Sequence, residues 1–403
     1  MYLLNQFLKY VRYDTMSDPL SKTVPSTEKQ LILAEELVKD MKEIGITDAR
    51  LGKGGVVYGS IPATVGHEDK PCIGFIAHMD TSPDLSGKDV NPRLVENYDG
   101  GDVDFPNYPK PMTPAQFPHL KKHIGKTLIV TDGSTLLGGD NKAGIAEILD
   151  AIRILQEENI PHGKIAISFT PDEEIGRGVE SFDLAELGAD FAYTIDGGEL
   201  EYISYECFNA TSLTVTVNGF NIHPGQAKNQ MKNASLIAIE FNNMLPEAQK
   251  PQFTEEFEGF FHLSNIEGNE EKSISRYIIR DHDKEKFERK KELVRKIGEF
   301  LNAKYGENTV VLELEDSYYN MLEMIKPHFH VVARAKSAME KAGVTPCDKA
   351  IRGGTDGAQL SYMGLPCPNL PTGGYNAHGR FEYIPLEDMQ KAVEIIINIA
   401  RVQ

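Results

Sequence analysis

With 60 Asp and Glu against 42 Lys and Arg, the 403-residue chain carries a formal charge of −18, which excludes the basic face expected of a nucleic-acid-binding protein. Its 40% hydrophobic and 25% charged residues are those of a soluble globular protein, and its length favours two or three domains over a single core. No apolar run approaches the roughly 18–20 residues that span a bilayer, and the scattered Cys72, Cys207, Cys347 and Cys367 form neither a disulfide framework nor a thiolate zinc site, so a reduced, cytoplasmic protein is expected.

The N-terminal MYLLNQFLKYVRYDTM sets Leu3, Leu4, Phe7, Leu8 and Val11 at helical spacing, interrupted by Gln6, Lys9 and Arg12; it reads as a docked amphipathic helix, not a signal peptide. A second helix is predicted to start at Thr27, whose spacing to Gln30 fits a capping box, and to stop near Gly45. CIGFIAHMD and KTLIVTD follow as strands. NKAGIAEILDAIRILQEEN is a helix with Ile145, Ile148, Leu149 and Ile152 on one face, and KIAISFTPD and DFAYTIDG are strands again. This alternation predicts α/β layers around a mostly parallel sheet.

After about residue 207 the pattern changes. ATSLTVTVNG and SISRYIIRD alternate with period two, as antiparallel strands with one wet face do. NASLIAIEFNNML and KEKFERKKELVRKIGEFLNAKYG read as helices, and NTVVLELEDSYYN closes the series as a strand. From about Val331 the α/β style returns. The expected architecture is an α/β domain in two parts, 1–207 and 321–403, interrupted by a smaller α+β domain over 208–320.

Five short segments put His, Asp or Glu where a strand ends or a helix begins: AHMD (His78, Asp80), GGDNKAG (Asp140), PDEEIG (Glu173, Glu174), TIDGG (Asp196) and NAHGRFE (His378, Glu382). The carboxyl ends of strands are where open α/β sheets bind ligands. Each signal alone has an ordinary explanation: a satisfied histidine, a helix N-cap at Asp140, an acidic turn, an Asp-Gly turn. A phosphate cradle is disfavoured at GGDNKAG, which lacks the Gly-x-x-x-x-Gly-Lys spacing and whose acid repels phosphate. Five strand ends offering imidazole and carboxylate together are the ligand set of a two-metal site for Zn²⁺, Co²⁺ or Mn²⁺.

In this order, with an α+β domain inserted, AHMDTSPD, GGDNKAG, TPDEEIG, TIDG and NAHGRFE resemble the co-catalytic zinc exopeptidases that include acetylornithine deacetylase, carboxypeptidase G and carnosine-type dipeptidases. The tripeptide aminopeptidases are the branch matched most fully. The resemblance implies two Zn²⁺ per subunit, with Co²⁺ or Mn²⁺ as substitutes: one held by His78 and Asp196, the other by Glu174 and His378, with Asp140 bridging. It implies Asp80 behind His78, Glu173 as the general base for a water activated at the metals, and a cis peptide at Asp140–Asn141. NIHPGQAKNQ supplies His223, implied to reach the partner's active site in a homodimer; the parts 1–207 and 321–403 are then implied to form the catalytic domain, and 208–320 a ferredoxin-like lid and dimerisation domain. Arg280 is implied to clamp the terminal carboxylate of a small free peptide, and the loop Arg352, Gly353, Gly354 to assist; without the resemblance, a loop histidine, a surface ion pair with Asp281 or Asp283 and a plain turn explain these residues. A related dipeptidase, carboxypeptidase or N-acyl amino-acid deacylase is the alternative expectation, and a non-catalytic metal- or peptide-binding protein a more distant one.

Overall fold

The computed structural model describes residues 1–402. The chain forms two compact units: Met1–Tyr205 with Glu323–Lys349 and the stretch from Thr355 onward, and Glu206–Leu322 with the short return Ala350–Gly354. That return, which joins the second unit through a bridge between Cys207 and Ile351, carries no compositional signature, and the boundaries expected from the sequence omit it.

The first unit is built on a six-stranded sheet in the spatial order Arg50–Leu51, Val57–Ile61, Ile165–Thr170, Ile73–His78, Phe191–Gly197, Asn369–Pro371. Ile73–His78 pairs in parallel with both Ile165–Thr170 and Phe191–Gly197, which in turn pairs in parallel with Asn369–Pro371; Val57–Ile61 runs antiparallel at the other side. All six residues of IGFIAH and of IAISFT are buried, as required of strands covered on both faces. The helix Gly139–Glu157 covers one face and is itself buried by the helices Tyr2–Tyr10 and Leu386–Ala400, which is why its sequence is apolar nearly all round. It lies so close to the sheet that a Cβ on Gly144 would fall 2.2 Å from the carbonyl oxygen of Ile195.

Glu147, within this helix, is fully buried and neither carboxyl oxygen meets a hydrogen-bond partner. Burial pushes its pKa well above the carboxylate range. The unfolded chain ionises such a group near pH ~4.3 while the folded chain keeps the proton, so stability falls as pH rises between the two pKa values. Glu147→Leu is therefore expected to stabilise the fold by about 1–3 kcal/mol at pH 8 and by less at pH 5, read from urea melts at both.

Two expectations differ from the structure. Leu128–Val130 lies outside the parallel sheet, between Arg93–Val95 and Ile384–Pro385 in a small antiparallel one; its apolar residues serve a separate cluster with Tyr98, Phe105, Tyr375 and Tyr383, and a short apolar run does not reveal which core it enters. The second helix begins at Lys29, not Thr27. Gln30 turns its amide to Asp172 (2.7 Å) and the Thr27 hydroxyl donates to the Met16 carbonyl (3.0 Å), so tertiary partners take the groups a capping box would use.

The second unit is a four-stranded antiparallel sheet, Phe260–Gly268, Lys272–Asp281, Asn209–Asn218, Val310–Tyr318 in space. The helices Ala234–Asn243 and Lys284–Tyr305 pack on it through a core that includes Val215, Val217, Phe241, Ile279, Val294 and Leu301. The chain order β-α-β-β-α-β contains one strand more than the sequence pattern predicts: Phe260–Gly268 is an edge strand whose residues 264–268 are all exposed, so it shows no alternation.

Candidate metal centre

The strand-end residues of the first unit converge. His78 is the last residue of its strand, Asp196 sits near the end of Phe191–Gly197, Glu173 and Glu174 follow Ile165–Thr170 after a two-residue link, and Asp140 opens the long helix. His78 Nε2 lies 3.0 Å from Asp140 Oδ1 and 3.2 Å from Asp196 Oδ1. His378 Nε2 lies 2.9 Å from Glu174 Oε2 and 3.4 Å from Asp140 Oδ2. Asp140 thus turns one oxygen to each histidine.

Buried carboxylates hold this arrangement from behind. Asp80 places Oδ1 3.3 Å from His78 Nδ1 and accepts the backbone N–H of Glu173 (3.0 Å) with Oδ1 and of Glu174 (3.2 Å) with Oδ2. One side chain thereby fixes a histidine ring and the turn bearing both glutamates. Glu382 accepts the N–H groups of Leu137 (2.7 Å), Gly138 (2.8 Å) and Asp140 (2.9 Å), locking the loop that presents Asp140, whose peptide bond to Asn141 is cis. Asp172, at φ +57°, accepts the Ser26 N–H (2.6 Å) and the Gln30 amide, which pins the turn before Glu173.

The electrostatics are those of a site with too much negative charge. Burial, reinforced by Asp196, drives Glu173 well above the carboxylate range; burial and Asp140 push Glu174 up to about 7; burial also raises Asp196. Burial acts to raise Asp140 too, but hydrogen bonds from His378 and His78 outweigh it and hold that acid low. His378 is pushed up to about 11 by its hydrogen bonds to Asp140 and Glu174. His78, despite the opposing effect of burial, is raised by Asp196, Asp140 and Asp80. Buried like charges of this kind call for a cation.

The donor set fits one. Ligand atoms of His78, Glu173 and Asp196 lie within 4.8 Å of one another, as do those of His78, Asp140 and Glu174, while Glu174 Oε1 is buried with no partner. Imidazole nitrogen and carboxylate oxygen at strand ends suit Zn²⁺, Co²⁺ or Mn²⁺. The geometry leaves Glu173 within reach of a cation beside His78 and Asp196.

The other residues singled out in the sequence belong to the second unit. His223 is exposed, its Nδ1 accepting the Gly225 N–H at 3.2 Å. Arg280 donates to the Ile279 carbonyl (3.1 Å) and lies over the Tyr318 ring at 5.4 Å; the neighbouring Asp281 approaches Lys290 instead, at 3.5 Å. Arg352 donates to the carbonyls of Glu256 (2.6 Å) and Glu258 (3.1 Å) and stacks over Phe208, tying its loop down. Gly353 and Gly354 follow, and a Cβ on Gly354 would fall 2.7 Å from the Tyr318 ring.

Two further acids belong to the site, and the sequence pattern marks neither, although Asp84 closes the segment AHMDTSPD. Asp84 Oδ2 is 3.1 Å from His378 Nδ1. Asp356 accepts the Thr170 hydroxyl (2.7 Å) with one oxygen, keeps the other buried and unpartnered, and is raised by burial to about 7. Acids that orient ligand histidines typically support metal affinity 10–100-fold. Because Asp84 is largely exposed, Asp84→Ala is expected to weaken one of two metal equivalents by about tenfold, measured by competition with a chelating dye.

Fold and site together define a metal-dependent hydrolase with an inserted α+β unit. A profile described as "Peptidase family M20/M25/M40" matches residues 133–402. The chain belongs to this family. It is 54% identical over 400 residues to Peptidase T of Caldanaerobacter subterraneus subsp. tengcongensis, covering 98% of this chain and 97% of that one. Against Peptidase T of Alkaliphilus oremlandii it is 54% identical over 401 residues, 98% of each chain. The crystal structure of aminopeptidase PepT from Bacillus cereus superposes with a TM-score of 0.77 at 25% identity, covering 99% of this chain and 97% of that one.

Proposed function

We propose that this enzyme is a metal-dependent aminopeptidase that releases the first residue of free tripeptides, and that it works in the cytoplasm as a homodimer. The observation that carries the chemistry is Asp140, one oxygen 3.0 Å from His78 and the other 3.4 Å from His378: a carboxylate so placed serves two cations at once. Full-length similarity to proteins named Peptidase T supports the substrate class.

In this reading His78 and Asp196 would hold one Zn²⁺, Glu174 and His378 would hold the other, and Asp140 would serve both; Co²⁺ or Mn²⁺ would substitute. When bound, such a pair polarises the peptide carbonyl and makes a water nucleophilic near pH ~7. Glu173 takes the proton of the attacking water and returns it to the leaving amine. Its carboxylate lies in one ligand-atom cluster with His78 and Asp196, within reach of such a water. Asp80 holds the His78 ring in one orientation throughout. His223, from the partner subunit, donates to the developing oxyanion. Arg280 receives the terminal carboxylate through its planar fork, with Arg352, Gly353 and Gly354 contributing from a loop of the same unit.

The test is product analysis. A tripeptide of three different residues, given to the zinc-loaded enzyme, is expected to yield the first residue and the intact C-terminal dipeptide by mass spectrometry. Release of the last residue, or no cleavage, would overturn the proposal.

A further inference from the structure

Beside Asp140 and Asp196 the first unit holds a cavity of about 160 Å³ that no residue of the mechanism above occupies. That is close to the ~150 Å³ of an apolar cavity that admits benzene, so it takes a side chain of several carbons. Gly198, Thr372, Tyr375 and Asn376 are among its walls, and no Lys, Arg or His lines it. An exopeptidase that seated a terminal carboxylate here would need a cationic or guanidinium anchor, as such groups are recognised elsewhere. This cavity offers none.

The walls are stiff. Tyr375 stacks on Tyr383 with centroids 5.0 Å apart and on His119 at 4.9 Å. His119 Nδ1 is 2.7 Å from the Tyr383 hydroxyl, and its ring also hydrogen-bonds the Asn376 side chain. Asn376 in turn donates to the Phe381 carbonyl at 3.1 Å. A wall braced in this way cannot swing aside for a larger guest, so it sorts guests by volume.

We propose that this cavity is the pocket for the side chain of the substrate's first residue: an uncharged side chain of up to about leucine size against Tyr375, with the size limit set at Gly198. The inference rests on the aminopeptidase reading and specifies where its selectivity resides.

Gly198 is the position to test. Its backbone is not among the left-handed glycines, and a Cβ there would meet only the Gly374 carbonyl oxygen, at an ordinary 3.5 Å. Gly374 is itself a wall of the cavity, so a Cβ at Gly198 adds bulk on that side at an ordinary contact distance. The experiment compares kcat/KM for Leu-Gly-Gly and Ala-Gly-Gly in the zinc-loaded wild type, Gly198→Ala and Gly198→Val. The Leu-to-Ala ratio is expected to fall by about tenfold with alanine, which adds one carbon, and further with valine, which adds three, since one carbon commands ~10–200-fold in a hydrophobic pocket. Gly198→Ala carries the test if valine perturbs folding. A parallel pair, Ala-Gly-Leu against Ala-Gly-Gly, reports on the other end of the peptide. A first-position ratio within twofold of wild type in both variants would overturn the assignment, and so would a shift confined to the third position. Wild-type enzyme that cleaves neither tripeptide would instead overturn the aminopeptidase reading beneath it.

Discussion

Replacing Glu173 with glutamine is expected to lower kcat by about 10²–10⁴-fold, the usual contribution of a positioned general base, while two metal equivalents stay bound. The substitution keeps the shape of the side chain and the backbone N–H that donates to Asp80 at 3.0 Å, so it removes proton transfer and little else. KM should change far less than kcat, because the base acts on the water and the leaving amine, not on substrate held in the ground state. The competing role is visible in the geometry: Glu173 shares a ligand-atom cluster with His78 and Asp196. If Glu173 were a ligand, the glutamine variant would lose metal. Elemental analysis alongside turnover separates the two. Full metal content with crippled turnover supports the base. One equivalent lost makes Glu173 a ligand, and near wild-type turnover removes it from the chemistry.

The convergence of these side chains was legible in the sequence because the segments that carry them are local. His78, Asp140, Glu173, Glu174 and Asp196 each sit where a buried run stops or a helix starts, and in a parallel sheet those points share an edge. Asp84 and Asp356 were not legible as partners. Asp84 meets His378 across 294 positions of sequence, and Asp356 meets Thr170 across 186; no spacing rule reaches so far. The same holds for Gln30, which looks like half of a capping box until Asp172, 142 positions on, claims its amide. At fold level, pattern failed where burial stops governing it. Phe260–Gly268 lies at a sheet edge with residues 264–268 exposed and does not alternate there, while Leu128–Val130 is wholly buried but in the core of another sheet. Periodicity reports that a face is covered, not by what.

Chelation is expected to abolish turnover and to destabilise the protein more at high pH than at low. The sign follows from the groups themselves. In the absence of metal, Glu174 at about 7 and the raised Glu173 and Asp196 keep protons that the unfolded chain releases near pH ~4, so their contribution to stability falls as pH rises through that window. His378, at about 11, and the raised His78 hold protons that the unfolded chain loses near pH ~6.5, so their stabilisation is complete below that value and is lost as pH rises toward the folded pKa. Asp140 is held low and stays ionised across this range. Both raised sets act in the same direction: the metal-free centre favours acid. A divalent pair replaces the protons, so its apparent affinity rises with pH and its binding expels them. At a thousandfold excess over Kd, metal stabilises by about 4 kcal/mol, on the order of 10 °C in Tm for a domain of ordinary size. That shift should be larger at pH 8 than at pH 6. Calorimetry of Zn²⁺ binding at pH 6.5, in two buffers of different ionisation enthalpy, should show release of at least one proton per chain. A metal-induced Tm shift that shrinks between pH 6 and pH 8, or binding without proton release, would mean that the cluster His78, Asp140, Glu174, Asp196 and His378 is not where the metal sits.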